Sequence, residues 1–204
     1  MLTTRAPVLR LASASPRRRE LLTQIGVPHV VIGAHIDESE RPGEPPRDYV
    51  QRMARTKALA VWEQTREPGD AGLPVLAADT TVVLDGVIYG KPTDRADAVR
   101  MLTSLAGRTH EVLTAVALMH AGSLSMRLSA SAVRFRGISA EEAAAYWDTG
   151  EPRDKAGAYA IQGLAAVFVE SLSGSYSGVM GLPLFETAEL LRTAGIQSWG
   201  TMNP

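Results

Sequence analysis

VLRLASASPRRRELLTQIG, residues 8–26, contains a strand, a turn and a helix in succession. The run VLRLAS is short and largely apolar, as a buried strand is. Ser15 and Pro16 follow as an N-cap and a proline at the first helical position. The helix extends to about Gly26, a residue suited to end it. Its apolar stripe is Leu21, Leu22 and Ile25. Residues four apart lie above one another on a helix, which places Arg17 over Leu21, Arg18 over Leu22, and Arg19 over Thr23 toward solvent. Positive side chains at the positive end of a helix dipole are unfavourable unless an anion or carboxylates elsewhere balance them.

Outward from this unit, strands and helices alternate. HVVIGAHI (29–36) reads as a second strand, followed by the polar, proline-rich DESERPGEPP. A helix is expected from about Arg47 to Gln64, and REPGDAGLP (66–74) breaks the chain. VLAADTTVVLDGVIYGKP (75–92) gives a strand, an Asp85-Gly86 turn and a short return strand. Thr93 is placed to cap a helix through Leu105, and THEVLTAVALMH and LSMRLSASAVRFR are long strands joined by the turn AGS. Ser139 with Glu142 forms a capping-box pattern before AAAYWD. The Gly-rich DKAGAYAIQG leads into a strand LAAVFVE, and a second Gly-rich loop, SLSGSYSGVMGLP, leads to a final helix through about Ala194. Hairpins together with crossovers imply an α/β fold: a mixed, twisted sheet with flanking helices, in one domain over residues 1–204 with two lobes around a cleft.

Composition narrows the function. With 21 basic and 22 acidic side chains there is no general basic surface for DNA or RNA, so any phosphate recognition is local. Cysteine is absent, which excludes disulfides, thiolate metal sites and a cysteine nucleophile. No apolar run is long enough to span a bilayer, and the N-terminal residues lack a signal peptide's apolar segment; a cytoplasmic location is the expectation.

Within this frame a few residues stand out. Lys57 interrupts the apolar face formed by Val50, Met53, Ala54, Ala58 and Val61. It either snorkels to solvent or directs a compact charge at phosphate oxygens in a cleft. Asp79 interrupts the otherwise apolar and small VLAADTTVVL, where an ionised carboxylate is costly unless paired. It is either a structural residue at a strand end or a general base or metal ligand. Glu38 follows a strand and Lys91 sits at a turn, and neither is distinctive alone. Gln162 is an amide between glycine-rich turns, suited to reading a base edge or to bracing its loop. The chain has no phosphate loop ending in Gly-Lys-Ser or Gly-Lys-Thr, and Thr81 stands where aspartyl phosphatases need a second aspartate. The four histidines show no metal-binding spacing.

LASASPRRRELL, RMARTKA, AADTTVVLDGVIYGKP, KAGAYAIQG and GSYSGVMGLPL, in that order and spacing, resemble the Maf family of nucleoside triphosphate pyrophosphatases, also called septum formation inhibitor proteins. The resemblance runs from about Val8 to Leu191. It implies a fold related to the inosine triphosphatase (Ham1) fold, often dimeric, so a homodimer is expected. It also implies cleavage of a nucleoside triphosphate between the α and β phosphates with a divalent cation, magnesium or manganese. Carried over block by block, Asp79 is the proton acceptor, and Arg17, Thr80 and Gln162 select the substrate. Ser13, Arg18, Glu38, Lys57 and Lys91 contact phosphates or metal, with Glu38 and Asp79 as the metal ligands. ADT together with AYAIQG resembles the branch acting on dTTP and UTP rather than that acting on 7-methyl-GTP. Ala14 and Ala106 depart from the usual glycine and serine, without touching a chemical role. Two other readings stay open: a nucleotide-binding regulator of septum formation acting through a protein partner, and a phosphomonoesterase. The intact set Asp79, Glu38, Lys57 and Lys91 favours an enzyme over the regulator, because a pure binder needs no base.

Overall fold

A computed structural model describes residues 6–66 and 72–199. The opening unit forms as read: strand β1 (Leu9–Ala12) passes through Ser13–Ser15 into helix α1 (Pro16–Gln24), with Pro16 at its first turn. Gly26 ends it at φ +69. Strand β2 (His29–Ile32) is shorter than the expected 29–36; the chain leaves the sheet after Ile32. Helix α2 (Pro46–Thr65) returns it to β3 (Val75–Leu84), which pairs parallel to β1, as β2 does on the other side. Most of the expected break at 66–74 lies outside the described residues, as do the ends of the chain.

From β3 onward the sheet is antiparallel. β3 turns through Asp85 and Gly86 into β4 (Val87–Tyr89). Both turn residues have positive φ (51 and 79), the geometry that matches the twist of a two-residue hairpin and that glycine adopts without strain. Helix α3 (Arg95–Leu105) is capped by Asp94, whose side chain accepts the Asp97 N–H, and not by Thr93; Thr93 instead donates its own N–H to Asp97. Strands β5 (Thr109–His120) and β6 (Ser123–Phe135) form the long hairpin. Helix α4 (Ala140–Asp148) has half of the expected capping box: Ser139 accepts the Glu142 N–H, but the Glu142 carboxylate turns to Arg136.

Two expectations for the last quarter are corrected. LAAVFVE is not a strand throughout: Leu164–Phe168 is a 3₁₀ turn, and only Val169–Ser173 is strand β7. The second Gly-rich segment supplies the end of β7 and a short helix, α5 (Tyr176–Met180), before α6 (Leu184–Thr193). The apolar run of LAAVFVE fits either structure, because Ala165 and Phe168 are buried at a spacing of three.

The sheet order is β2-β1-β3-β5-β6-β7, with β4 on the edge of β3. Helix α2 covers one face through Val50, Ala54, Ala58 and Val61, packed on Ala12, Val75 and Ala77. The opposite face carries two clusters. One joins α1 and α6 to Leu9, Leu11, Leu76 and Ala78, and the other joins α3 and α4 to Val82, Leu84, Val112 and Phe135. Among the described residues no helix is long and apolar enough to cross a membrane.

Candidate active site

The topology opens a gap beside one strand. β1 pairs with β3 at Val75 and Leu76, β4 pairs with it at Val82–Leu84, and between them that edge of β3 lacks a ladder partner. The crossover from β1 to β2 runs through α1 on one face and that from β2 to β3 through α2 on the other, so β1 and the neighbouring part of β3 have a helix on each face. Asp79 and Thr80 lie in this gap. Successive strand residues point to opposite faces, so Asp79 faces α2 and Thr80 faces α1. On its face Thr80 lies between Ala78 of one core cluster and Val82 of the other.

A cleft of about 620 Å³ opens here, and Ser13, Arg17, Arg18, Glu38, Lys57, Asp79, Thr80, Lys91 and Gln162 all line it. On the α2 face, Lys57 Nζ donates to Asp79 Oδ1 at 2.7 Å and to Glu38 Oε1 at 2.6 Å. Lys57 therefore does not snorkel: it is buried between two carboxylates, with Asp79 only 8% exposed. Burial pushes the Asp79 carboxyl above the usual carboxylate range, against the pull of Lys57 and Arg18. Burial would raise Glu38 too, but the Lys57 hydrogen bond and charge, with Lys91 and Arg18 behind, hold it below its ordinary value. Glu38 sits on a loop strapped to α2: Tyr49 donates its hydroxyl to the Glu38 carbonyl at 3.0 Å, and Arg52 grips Ser39 O and the Glu44 carboxylate.

On the other face, Arg18 donates to Gly181 O at 2.7 Å, Thr80 Oγ1 at 3.2 Å and Ser13 Oγ at 3.3 Å. None of these acceptors is charged, so the guanidinium is held rigidly while its charge stays available. Burial lowers its pKa, with Asp79 opposing; a guanidinium nonetheless keeps its proton in proteins. Ser15 occupies the N-cap position of α1 without a side-chain cap bond, and the first turn has no acidic residue. Its N–H goes instead to Ser13 Oγ at 3.1 Å. The positive end of α1 is thus not neutralised from within the helix. Thr80 Oγ1 accepts from Arg18 at 3.2 Å and lies 3.0 Å from Thr114 Oγ1; the single Thr114 proton goes to Gly178 O at 2.8 Å, so the Thr80 hydroxyl donates to Thr114.

Across the cleft, Arg17 is 4.0 Å from Asp154, which itself pairs with Lys155. Lys91 is exposed at the rim, on a turn tied down by the Gly157 N–H to Gly90 O bond. Gln162 lines the cleft and is exposed as well. Tyr49, Asp154 and Lys155 also line the cleft without having stood out in the sequence. Asp154 and Lys155 adjoin the AYAIQG run, so their place there was the available signal; Tyr49 carried none. Burial raises the Tyr49 hydroxyl to about 12, so it serves as a neutral donor.

The two carboxylates that share Lys57 are hard oxygen donors converging on one cation, the kind of pair that binds magnesium together with substrate phosphates. Among the described residues no third acidic or histidine side chain joins them.

The profile of the family described as Maf-like protein matches residues 8–194. The chain is 57% identical to the dTTP/UTP pyrophosphatase of Bordetella parapertussis over 196 residues, covering 93% of this chain and 94% of that protein. It is 52% identical to the dTTP/UTP pyrophosphatase of Nitrosomonas europaea over 204 residues, covering 96% and 99%. It is 53% identical to the dTTP/UTP pyrophosphatase of Hahella chejuensis over 191 residues, covering 94% of each. Among solved structures, the Staphylococcus aureus Ham1 protein aligns at 16% identity and a TM-score of 0.45, over 64% of this chain and 73% of that one.

Proposed function

The chain belongs to the Maf-like protein family, and from that premise we propose that it hydrolyses dTTP and UTP to the nucleoside monophosphate and pyrophosphate. One observation carries the assignment to this cleft. Asp79 and Thr80 stand where β3, paired to β5 on one side, has no partner on the other between β1 and β4, with Lys57 on one face and Arg18 on the other. A base and two fixed cations therefore converge where a polyphosphate can enter.

In this reading the chain is one domain whose two lobes meet at the cleft, and it works in the cytoplasm. Asp79 accepts the proton of the attacking water, and its raised pKa brings it nearer the working pH of a general base. The water oxygen bonds to the α phosphorus as the bond from that phosphorus to the α–β bridging oxygen breaks, and the bridging oxygen leaves with the pyrophosphate. Arg18 and Lys57, with Arg17, Lys91 and Ser13 around them, hold the phosphates and stabilise the charge that develops on the departing pyrophosphate. Glu38 and Asp79 are the residues that would hold a divalent cation, magnesium or manganese, which supplies charge neutralisation and a water of lowered pKa. Thr80 and Gln162 meet the pyrimidine side of the substrate, with Arg17 at its phosphates. A site that hydrogen-bonds a base disfavours one that leaves its polar groups unpaired, by about 1–3 kcal/mol for each such group.

The test is a panel of nucleoside triphosphates with product identification. Pyrophosphate from dTTP and UTP, with poor turnover of ATP, GTP and 7-methyl-GTP, is expected. Gln162→Ala should narrow the preference for UTP over CTP more than it lowers total activity. Orthophosphate as the first product from UTP would overturn the reaction, and preference for 7-methyl-GTP would overturn the substrate.

A further inference from the structure

The segment that carries Gln162 is held on both sides by one carboxylate. Glu151 begins the 3₁₀ turn Glu151–Asp154, just after α4. Its Oε2 accepts the Leu164 N–H at 3.1 Å and its Oε1 the Ala165 N–H at 3.4 Å. These are the first two residues of the turn Leu164–Phe168, whose leading N–H groups have no partner within the turn. Gly163, at the cap position, has no side chain to serve them, and Glu151 does so from elsewhere in the chain. Glu151 Oε1 also accepts the Tyr146 hydroxyl at 2.7 Å, and that hydroxyl oxygen accepts the Ala160 N–H at 3.2 Å. Ala160 lies two residues before Gln162 and Leu164 two after. Both ends of the Gln162 segment thus trace to the same charged group, and bonds to a carboxylate are stronger than neutral ones.

The packing is as close as it can be. A Cβ on Gly163 would stand 2.2 Å from Glu151 Oε2 and 2.5 Å from its Cδ, so only glycine lets the backbone lie against the carboxylate. Tyr146 is 5% exposed and meets Phe168 edge-on at 5.4 Å, which fixes the ring through which Ala160 is held. At the start of the segment the Tyr159 hydroxyl is 2.9 Å from His110 Nε2.

We propose that Glu151 is a positioning residue for base selection: through Tyr146 and the backbone on either side, it sets where the Gln162 amide meets the base. This rests on the reading of Gln162 as a base-contacting residue given above. Glu151 touches no reacting atom, so its loss should be felt in substrate choice rather than in the chemical step.

The experiment uses Glu151→Gln and Tyr146→Phe in the full chain, assayed for pyrophosphate release from UTP and CTP. In each, KM for UTP should rise by about 5- to 20-fold with kcat within about two-fold, and the UTP-to-CTP ratio of kcat/KM should fall by a similar factor. In a Gln162→Ala background neither substitution should change that ratio further, since both act through the same amide. An unchanged ratio in both variants would overturn the proposal, as would equal losses on UTP and CTP or a full additional effect without Gln162. If Glu151→Gln does not fold, Tyr146→Phe decides, because it keeps the ring packing and removes only the hydroxyl link. A wild-type protein that yields no pyrophosphate from UTP refutes the functional reading and this proposal together. A wild-type protein that does, with the ratio intact in the variants, refutes this proposal alone.

Discussion

Lys57→Met separates the charge of Lys57 from its bulk, because methionine retains a long apolar stem on the buried face of α2. Lys57 and Asp79 side chains are 11% and 12% exposed and share a 2.7 Å bond. Removing one partner of a buried pair costs about 3–5 kcal/mol, since the other charge is left uncompensated. Two features reduce this. Arg18 still acts on Asp79, and Glu38, at 48% exposed, is solvated well enough that its own bond to Lys57 contributes little. A loss of about 2–4 kcal/mol is therefore expected at about pH 8, or roughly 5–12 °C in Tm for a chain of this size. The sign of its pH dependence follows from Asp79, whose folded pKa is raised by burial and, without Lys57, rises further. A carboxyl with a raised folded pKa favours the fold while protonated, and that contribution is lost as pH rises through its folded value. The deficit of Lys57→Met relative to wild type should thus grow from acid toward about pH 8 and shrink toward about pH 5. Differential scanning calorimetry of both proteins across that range measures it. A deficit independent of pH, or one largest at the acid end, would show that Lys57 matters through packing and not by neutralising Asp79. Magnesium should restore part of the lost Tm if Glu38 and Asp79 bind it in the folded state only.

Asp79→Asn should lower pyrophosphate release by about 10²- to 10⁴-fold while leaving the fold intact, as loss of a general base does; near wild-type turnover would remove Asp79 from the mechanism. His110, buried against Tyr159 and Phe135, has its pKa lowered to about 4 from 6.5 by burial. Its contribution is present above about pH 6.5 and is lost as pH falls toward about 4, because the unfolded chain takes up the proton first. That amounts to about 2 kcal/mol by about pH 5. Urea unfolding at about pH 7 and about pH 5 should show His110→Gln losing about 2 kcal/mol less than wild type over that interval; equal losses would contradict the assignment.

The order of elements was readable from local signals, because each depends on neighbours in sequence. The strand-to-helix unit at residues 8–26, the Asp85-Gly86 turn and the two long strands need only periodicity, proline placement and turn chemistry. The misreadings arose where local signals are degenerate. Thr93 and Asp94 are both good caps, and burial at a spacing of three in Leu164–Phe168 fits a 3₁₀ turn as well as its apolar run fits a strand. The site divides along the same line. Asp79 and Lys57 were conspicuous in sequence because each is a charge among apolar residues, a placement that needs a reason wherever the chain folds. That they are each other's partner, with Glu38 as the third member, was decided by α2 crossing over the face of β3 on which Asp79 lies. The arginines of α1 are placed in the same way: Arg18 is held by Gly181, far along the chain, and by Thr80 of β3, while Arg17 faces Asp154. Glu151 had no signal at all, because its importance comes from two N–H groups and a hydroxyl brought to it from other segments. A side chain's chemistry is set by its own atoms and can be read in sequence, but its hydrogen-bond partners and loss of water come from residues that only folding brings near.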